Sequence, residues 1–167
     1  GAGKTTLFNV VSGYVKPELG QVRLFGEPLA EKRQAAVAAR GVGRTFQSPR
    51  LVLEESVLDN VLLGTNQRYR HGHFAELFGL PGARREERER ADHAHQLLAR
   101  FGLDGWAREP AGNLSLGSQK IVEVARAMAA EPRLLLLDEP AAGLSVGDVD
   151  VLLEGLRLSM ELEKDLC

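Results

Sequence analysis

The chain has 167 residues, enough for one domain with a real core, and its 21 Lys+Arg against 23 Asp+Glu leave a net charge of −2. That balance offers no electrostatic footprint for nucleic acid, and the longest purely apolar runs, such as residues 35–39, fall far short of the ~20 residues that a membrane-spanning helix needs. The single cysteine, Cys167, is the last residue and cannot close an internal disulfide, which agrees with reducing surroundings.

The first residues, Gly1-Ala2-Gly3-Lys4-Thr5-Thr6, match the end of the G-x-x-x-x-G-K-[ST] phosphate loop. In such a loop backbone N–H groups cradle phosphates, the lysine reaches the β/γ oxygens and the following hydroxyl binds Mg²⁺. The first glycine of the pattern, and the strand expected before it, would lie ahead of residue 1. A helix is expected from residue 4 to about 12, then a strand at 21–25, a Gly26-Glu27-Pro28 turn, a helix near 31–40 and a strand at 42–46 that ends on Gln47. Ser56, with Asp59 three residues on, resembles a capping box opening a short helix through Val57, Leu58, Val61 and Leu62, which Gly64 can stop.

A second helix is expected over 83–101, with Ala91, Ala94, Leu97, Leu98 and Phe101 inward and the pairs Arg85/Glu89 and Glu86/Arg90 outside. The histidines come as His71-Gly-His73 and His93-Ala-His95. Residues two apart do not share a helix face and no cysteine or acidic ligand completes a set, so they read as surface histidines rather than a metal site. Trp106 reads as a packing residue under the following loop.

Ser115, Gly117 and Ser118 then open a helix at whose N-terminus the dipole favours an anion. Ile121, Val124, Ala125, Met128 and Ala129 recur at helical spacing on its apolar face, leaving Lys120, Glu123 and Arg126 off it. Pro132 closes the helix. Residues 134–137 are an apolar run suited to a strand buried on both faces of a parallel sheet, and Asp138 and Glu139 fall at its carboxyl end, where open α/β sheets place ligands. Pro140 keeps Glu139 from helical geometry and is expected to prolong the extended segment.

Five motifs occur in order: GAGKTT (a truncated Walker A), Gln47 in GRTFQ (the Q-loop), LSLGSQK (the signature), LLLLDEP (Walker B with a following glutamate) and Ala142-Gly143-Leu144-Ser145 (the D-loop). On these the chain resembles the ATP-binding subunits of ABC transporters over nearly its whole length. The resemblance implies an α/β fold, a P-loop NTPase of ABC type with a mainly parallel sheet flanked by helices and a helical subdomain. Residues 1–47 would form the N-terminal part of the nucleotide-binding core, 48–113 the helical subdomain and insert, and 114–167 the signature, Walker B and D-loop part of the core. The central P-loop strand, the C-terminal strands, the adenine-stacking aromatic and the switch histidine would lie beyond its ends. On that ground the polypeptide alone is expected to hydrolyse ATP poorly.

The same resemblance implies ATP and Mg²⁺ as cofactors. Gly1, Ala2, Gly3, Lys4, Thr5 and Thr6 would bind the nucleotide, and Thr5, Gln47 and Asp138 the metal. Gln47 would approach the attacking water and Glu139 would polarise it. Leu114, Ser115, Gly117 and Ser118 would meet the nucleotide of a second ATP-binding subunit, beside the D-loop residues Gly143, Leu144 and Ser145. Ser118 stands where the general pattern has glutamine, a position that tolerates exchange in related importers.

Further implied partners are transmembrane permease subunits, docking on the segment after the Q-loop, and indirectly a solute-binding protein; nucleic acid is not one. The implied location is peripheral, at the cytoplasmic face of the inner membrane. The stretches GVGRTFQSPRLVLEESVLDNVLLG and LLLLDEPAAGLS are most similar to the ATPases of branched-chain amino acid importers. Urea/short-amide importers, the lipopolysaccharide-export ATPase and soluble ABC ATPases remain alternatives.

Overall fold

The computed structural model describes residues 3–29, 34–46, 48–65 and 81–164, without the side chains of 81–84 and 162–164. Gly1, Ala2, Gln47, His71, His73 and Cys167 lie outside the described residues. Helix α1 spans Lys4–Val11, its N-cap Gly3 at φ 98°. That left-handed conformation suits glycine, and a Cβ at Gly3 would meet nothing within 4 Å. The helix ends where Ser12 turns its amide and hydroxyl back to the Phe8 carbonyl.

The strand expected at 21–25 is shorter. Arg23–Leu24 (β1) pairs antiparallel with Glu27–Pro28 (β2), and the turn between them is Phe25-Gly26 rather than Gly26-Glu27-Pro28. Both turn residues have positive φ, 53° and 83°, as a two-residue hairpin of the right hand requires. Within the expected helix near 31–40, the described part is Gln34–Ala38 (α2), with Val37 buried. Val42–Arg44 (β3) then runs parallel to Leu134–Leu136 (β4), in the register Val42 to Leu134 and Arg44 to Leu136. The Thr45 amide continues the ladder to the Leu136 carbonyl at 3.0 Å.

The run 134–137 is therefore a strand of a parallel pair, as expected, but half-buried rather than enclosed on both faces. Among the described residues β3 alone pairs with it. One small core lies here, formed by Leu24, Leu29, Val37 and Val42 with Leu134 and Leu136 against it.

The larger core is helical. Val57–Thr65 (α3), Pro81–Arg100 (α4), Leu116–Met128 (α5) and Val146–Lys164 (α6) bury Val57, Val61, Ala94, Leu97, Leu98 and Phe101 against the apolar face of α5. Ser56 opens α3 as its sequence implies, its Oγ accepting the Asp59 N–H at 3.0 Å and donating to Asp59 Oδ2. Gly64 does not stop that helix, which runs on through Thr65. Its role is close approach: a Cβ at Gly64 would lie 2.0 Å from the Arg126 carbonyl oxygen of α5.

Asn60, fully buried on α3, ties down the preceding segment, its Oδ1 accepting the Val52 N–H at 2.9 Å and its Nδ2 donating to the Val52 and Ser56 carbonyls. Outside α4, Arg85 and Glu89 pair at 2.8 Å as the i,i+4 spacing implies, and Arg90 Nε donates to Thr65 Oγ1 at 2.9 Å. Trp106 is not a packing residue. It sits on the short 3₁₀ turn Asp104–Trp106 with half its surface exposed. His95 is exposed, His93 half-buried 3.7 Å from Glu131, and no metal-ligand cluster occurs among the described residues.

Candidate nucleotide site

Lys4, at the first turn of α1, reaches the two carboxylates that follow β4. Its Nζ lies 3.2 Å from Asp138 Oδ1 and 3.3 Å from Glu139 Oε1. Asp138 is 5% exposed whereas Glu139 is half exposed, so the ammonium bridges one carboxylate inside the fold and one at its surface. The Asp138 carboxylate, followed by Glu139, raises the Lys4 pKa above its ordinary 10.5, and its charge is retained throughout the neutral range. The ammonium donates a hydrogen bond to Glu139 and stands within ion-pair distance of Asp138, whose buried Oδ1 accepts no hydrogen bond among the described residues, so donor capacity remains for an anion.

The local backbone explains the placement. Asp138 enters the site because its amide donates to Thr45 Oγ1 at 3.3 Å, and Thr45 is a buried residue at the end of the neighbouring strand. Glu139 has φ 52° and is not extended; its carbonyl accepts the Ala142 N–H at 3.1 Å, so the chain turns there instead of prolonging the strand. A left-handed conformation costs a branched or long side chain about 1–3 kcal/mol, and such positions gather at functional sites. Pro140 excludes right-handed helical geometry from Glu139, as its sequence position implies, but the tertiary turn decides which alternative is taken.

The second group of sequence-predicted residues lies at the N-terminus of α5. Ser115 caps that helix, its Oγ accepting the Ser118 N–H at 3.1 Å and lying 2.9 Å from the Ser118 hydroxyl. Gln119 Nε2 closes on the Leu114 carbonyl at 3.1 Å, with Leu114 buried and Leu116 65% exposed. Gly117 gives the close contact that its neighbours need: a Cβ there would lie 2.8 Å from Asp148 Oδ2 and 3.4 Å from Leu144 Cδ2. Asp148 in turn accepts the Ser145 hydroxyl at 2.7 Å, while Ser145 Oγ caps the Asp148 amide at 3.2 Å, a reciprocal cap that opens α6.

No hydrogen bond or ion pair among the described residues joins Ser115 directly to Lys4, Asp138 or Glu139. The two groups are connected through the turn after Glu139, whose Ala142 carbonyl accepts the Lys120 ammonium of α5. Gly3 and Lys4 are thus brought to Asp138 and Glu139, with Thr5 and Thr6 exposed beside them. Gly117 is brought to Leu144 and Asp148, with Gly143 in left-handed geometry at φ 74°. Thr45, Lys120 and Asp148 are missed by reading along the chain. Only Asp148 carries a local signal, the S-x-x-D spacing from Ser145.

The α5 helix departs from its expected polarity. Glu123 is 3% exposed and belongs to the buried face. Burial pushes its carboxyl pKa up, opposed by the Arg50 amide, the Arg126 guanidinium and the Phe46 amide. Burial likewise lowers the Arg126 pKa, with Glu123 opposing.

The family described as "ABC transporter" matches residues 1–142. The high-affinity branched-chain amino acid transport ATP-binding protein BraF of Pseudomonas aeruginosa is 41% identical over 150 residues, covering 90% of this chain and 59% of the relative. The corresponding protein LivG of Escherichia coli K12 is 41% identical over 160 residues, covering 94% of this chain and 63% of LivG. The chain thus spans about three fifths of the length of these relatives. A nucleotide-free ATP-binding cassette from an ABC transporter superposes with TM-score 0.75 at 30% identity, covering 96% of this chain and 63% of that one. A dimeric post-hydrolysis cassette bound to ADP and Pi superposes with TM-score 0.75 at 26% identity, covering 95% and 66%. With the phosphate-loop lysine against the strand-end carboxylates, and with that match over most of its length, the chain belongs to the ABC transporter family and has its P-loop NTPase fold.

Proposed function

We propose that the chain is the ATP-binding part of an ATPase that powers solute import through a membrane permease, with branched-chain amino acids as the solute. The observation that carries the reading is the convergence of Lys4 on Asp138 and Glu139, the latter 135 positions away in sequence. The identity to BraF and LivG supports the solute class. The division into core (1–47 and 114–167) and helical part (48–113) follows the family pattern.

The residues present fit a magnesium nucleotide. Gly3 leaves open space where a side chain would obstruct a phosphate, and it stands at the N-terminus of α1, where free N–H groups favour an anion. Gly1 to Thr6 would hold the phosphates, and the Thr5 hydroxyl, Gln47 and the buried Asp138 carboxylate would hold Mg²⁺. Bound MgATP supplies the phosphoryl group and the metal charge that neutralises it. Lys4 contributes a fixed positive charge, kept ionised by Asp138. Glu139 holds an exposed carboxylate able to accept a water proton at Oε1, and Gln47 orients that water.

Leu114, Ser115, Gly117 and Ser118 present a helix N-terminus to the nucleotide of a second ATP-binding subunit. Leu116 (65% exposed) and Val146 (82% exposed) are apolar surface beside the signature and D-loop that such a subunit would cover. No described helix is long and apolar enough to cross a membrane. Contact with the permease, and through it with a solute-binding protein, places the chain peripherally at the cytoplasmic membrane face.

The test is Glu139→Gln in the full-length protein assembled with its membrane partners. ATP binding is retained and turnover falls about 10²–10⁴-fold, the contribution of a positioned general base. Unchanged turnover overturns the role of Glu139. Uptake of leucine, isoleucine and valine, but not urea, by proteoliposomes checks the solute; transport of urea alone overturns it.

A further inference from the structure

Glu123 and Arg126 of α5 hold both backbone polar groups of one loop residue. Glu123 Oε1 accepts the Arg50 N–H at 3.3 Å, and Arg126 Nη1 donates to the Arg50 carbonyl at 2.6 Å. The two charges lie 3.7 Å apart. The Arg50 guanidinium stacks on the Phe46 ring at 4.1 Å. Residues 46 and 50 are therefore joined to each other and, through Arg50, to a single helix. Neighbouring positions Val122, Val124 and Ala125 are buried and apolar, so packing alone gives no reason for a charge here. A buried ion pair is a poor stabiliser, because desolvation offsets most of its attraction.

We infer that Glu123 and Arg126 are positioning residues that fix the chain on both sides of Gln47, at Phe46 and Arg50, to the helix that begins at Ser115. The inference rests on the proposed reading, in which Gln47 serves the water attacking the nucleotide. It gives that loop a direct attachment to the signature helix, independent of the parallel sheet. Any displacement of α5 is then passed to Arg50 through two hydrogen bonds, and from Arg50 to Phe46 through the ring contact.

The test compares Glu123→Met with the double variant Glu123→Met/Arg126→Met. Removing one partner leaves a buried charge and destabilises, whereas replacing both by apolar side chains of similar length is often neutral. A merely structural pair thus predicts that turnover recovers in the double variant along with Tm. Positioning predicts that Tm recovers while kcat stays down about tenfold, with KM for ATP unchanged. Amide exchange at 46–50 is then about tenfold faster in both variants, with α5 still protected. Glu123→Gln, which keeps an oxygen acceptor for the Arg50 amide, restores both kcat and protection. Wild-type protection of 46–50 in the double variant, or kcat rising in parallel with Tm, overturns the inference. Failure of the functional reading shows separately, as absence of turnover in the unsubstituted protein, since exchange is read without any turnover.

Discussion

Helix α3 rests on α5 with no room for a methyl group at Gly64, and Gly64→Ala measures how rigid that seam is. The new Cβ would fall 2.0 Å from the Arg126 carbonyl oxygen, 3.0 Å from its carbon and 3.1 Å from Ala129 Cβ. The nearest atoms are backbone, so no rotamer change relieves the clash; the helices must part by about 1 Å or more. Behind the seam Val57, Val61, Val122 and Ala125 are fully buried and would lose contact together. Overpacking of this kind costs about 1–3 kcal/mol and sometimes more, against about 1 kcal/mol gained from alanine's helix propensity. A net loss of about 1–2 kcal/mol lowers Tm by about 2–8 °C in a chain of this size. Thermal unfolding followed by circular dichroism reads it, with Gly105→Ala as control, because nothing lies within 4 Å of a Cβ at Gly105. A Tm within a degree of wild type for Gly64→Ala would refute the claim that this glycine is kept for close approach.

Ser115→Ala removes the oxygen that accepts the Ser118 amide. Stability falls by about 1 kcal/mol, as for other N-caps, and ATP turnover of the assembled protein falls further than that loss explains; a stability change without a turnover change would confine Ser115 to capping. Glu123→Gln makes a second prediction, with a sign set by linkage. The folded pKa of Glu123 is raised above its ordinary 4.5, so its favourable contribution is complete below pH 4.5 and lost as pH rises through the folded value. The Tm of the glutamine variant relative to wild type accordingly rises as pH goes from below 4.5 to neutrality, while the loss of the Arg126 ion pair lowers it by a separate amount. A relative Tm that is unchanged or higher in acid contradicts the assigned direction.

Local chemistry was sufficient wherever the signal is a short motif or a single periodicity. The phosphate-loop end, the Ser56/Asp59 cap, the α4 and α5 helices and the strand character of the 42–46 and 134–137 runs are readable from residue types and spacing, whereas the pairing of those two strands with each other is not. Each depends on interactions within one or two turns, or on a hydrophobic run that only a sheet can accept. Chain reading also proposed Lys4 and the pair Asp138/Glu139 for one site, although no local rule measures the distance between them.

Other features depend on segments remote in sequence. Glu123 reads as solvent-facing because a glutamate on a helix normally is; in the fold it is buried, and Arg50, remote in sequence, supplies a partner to it and to Arg126. Trp106 reads as a packing residue under the loop that follows it, yet its 3₁₀ turn leaves it half exposed. Gly64 reads as a helix stop, but the carbonyl of another helix makes it a contact point. Residues 134–137 read as doubly buried from their composition, while burial depends on which elements lie against the strand.

The amino-acid sequence by itself therefore determined the family's chemical parts and their order, because those parts are local. Tertiary structure alone decided that Lys4 stands between Asp138 and Glu139, that Glu139 turns rather than extends, and that Glu123 is buried under the loop. The first and third outcomes require the positions of atoms tens to more than a hundred residues away, where periodicity carries no information, and the second is a turn closed onto Ala142.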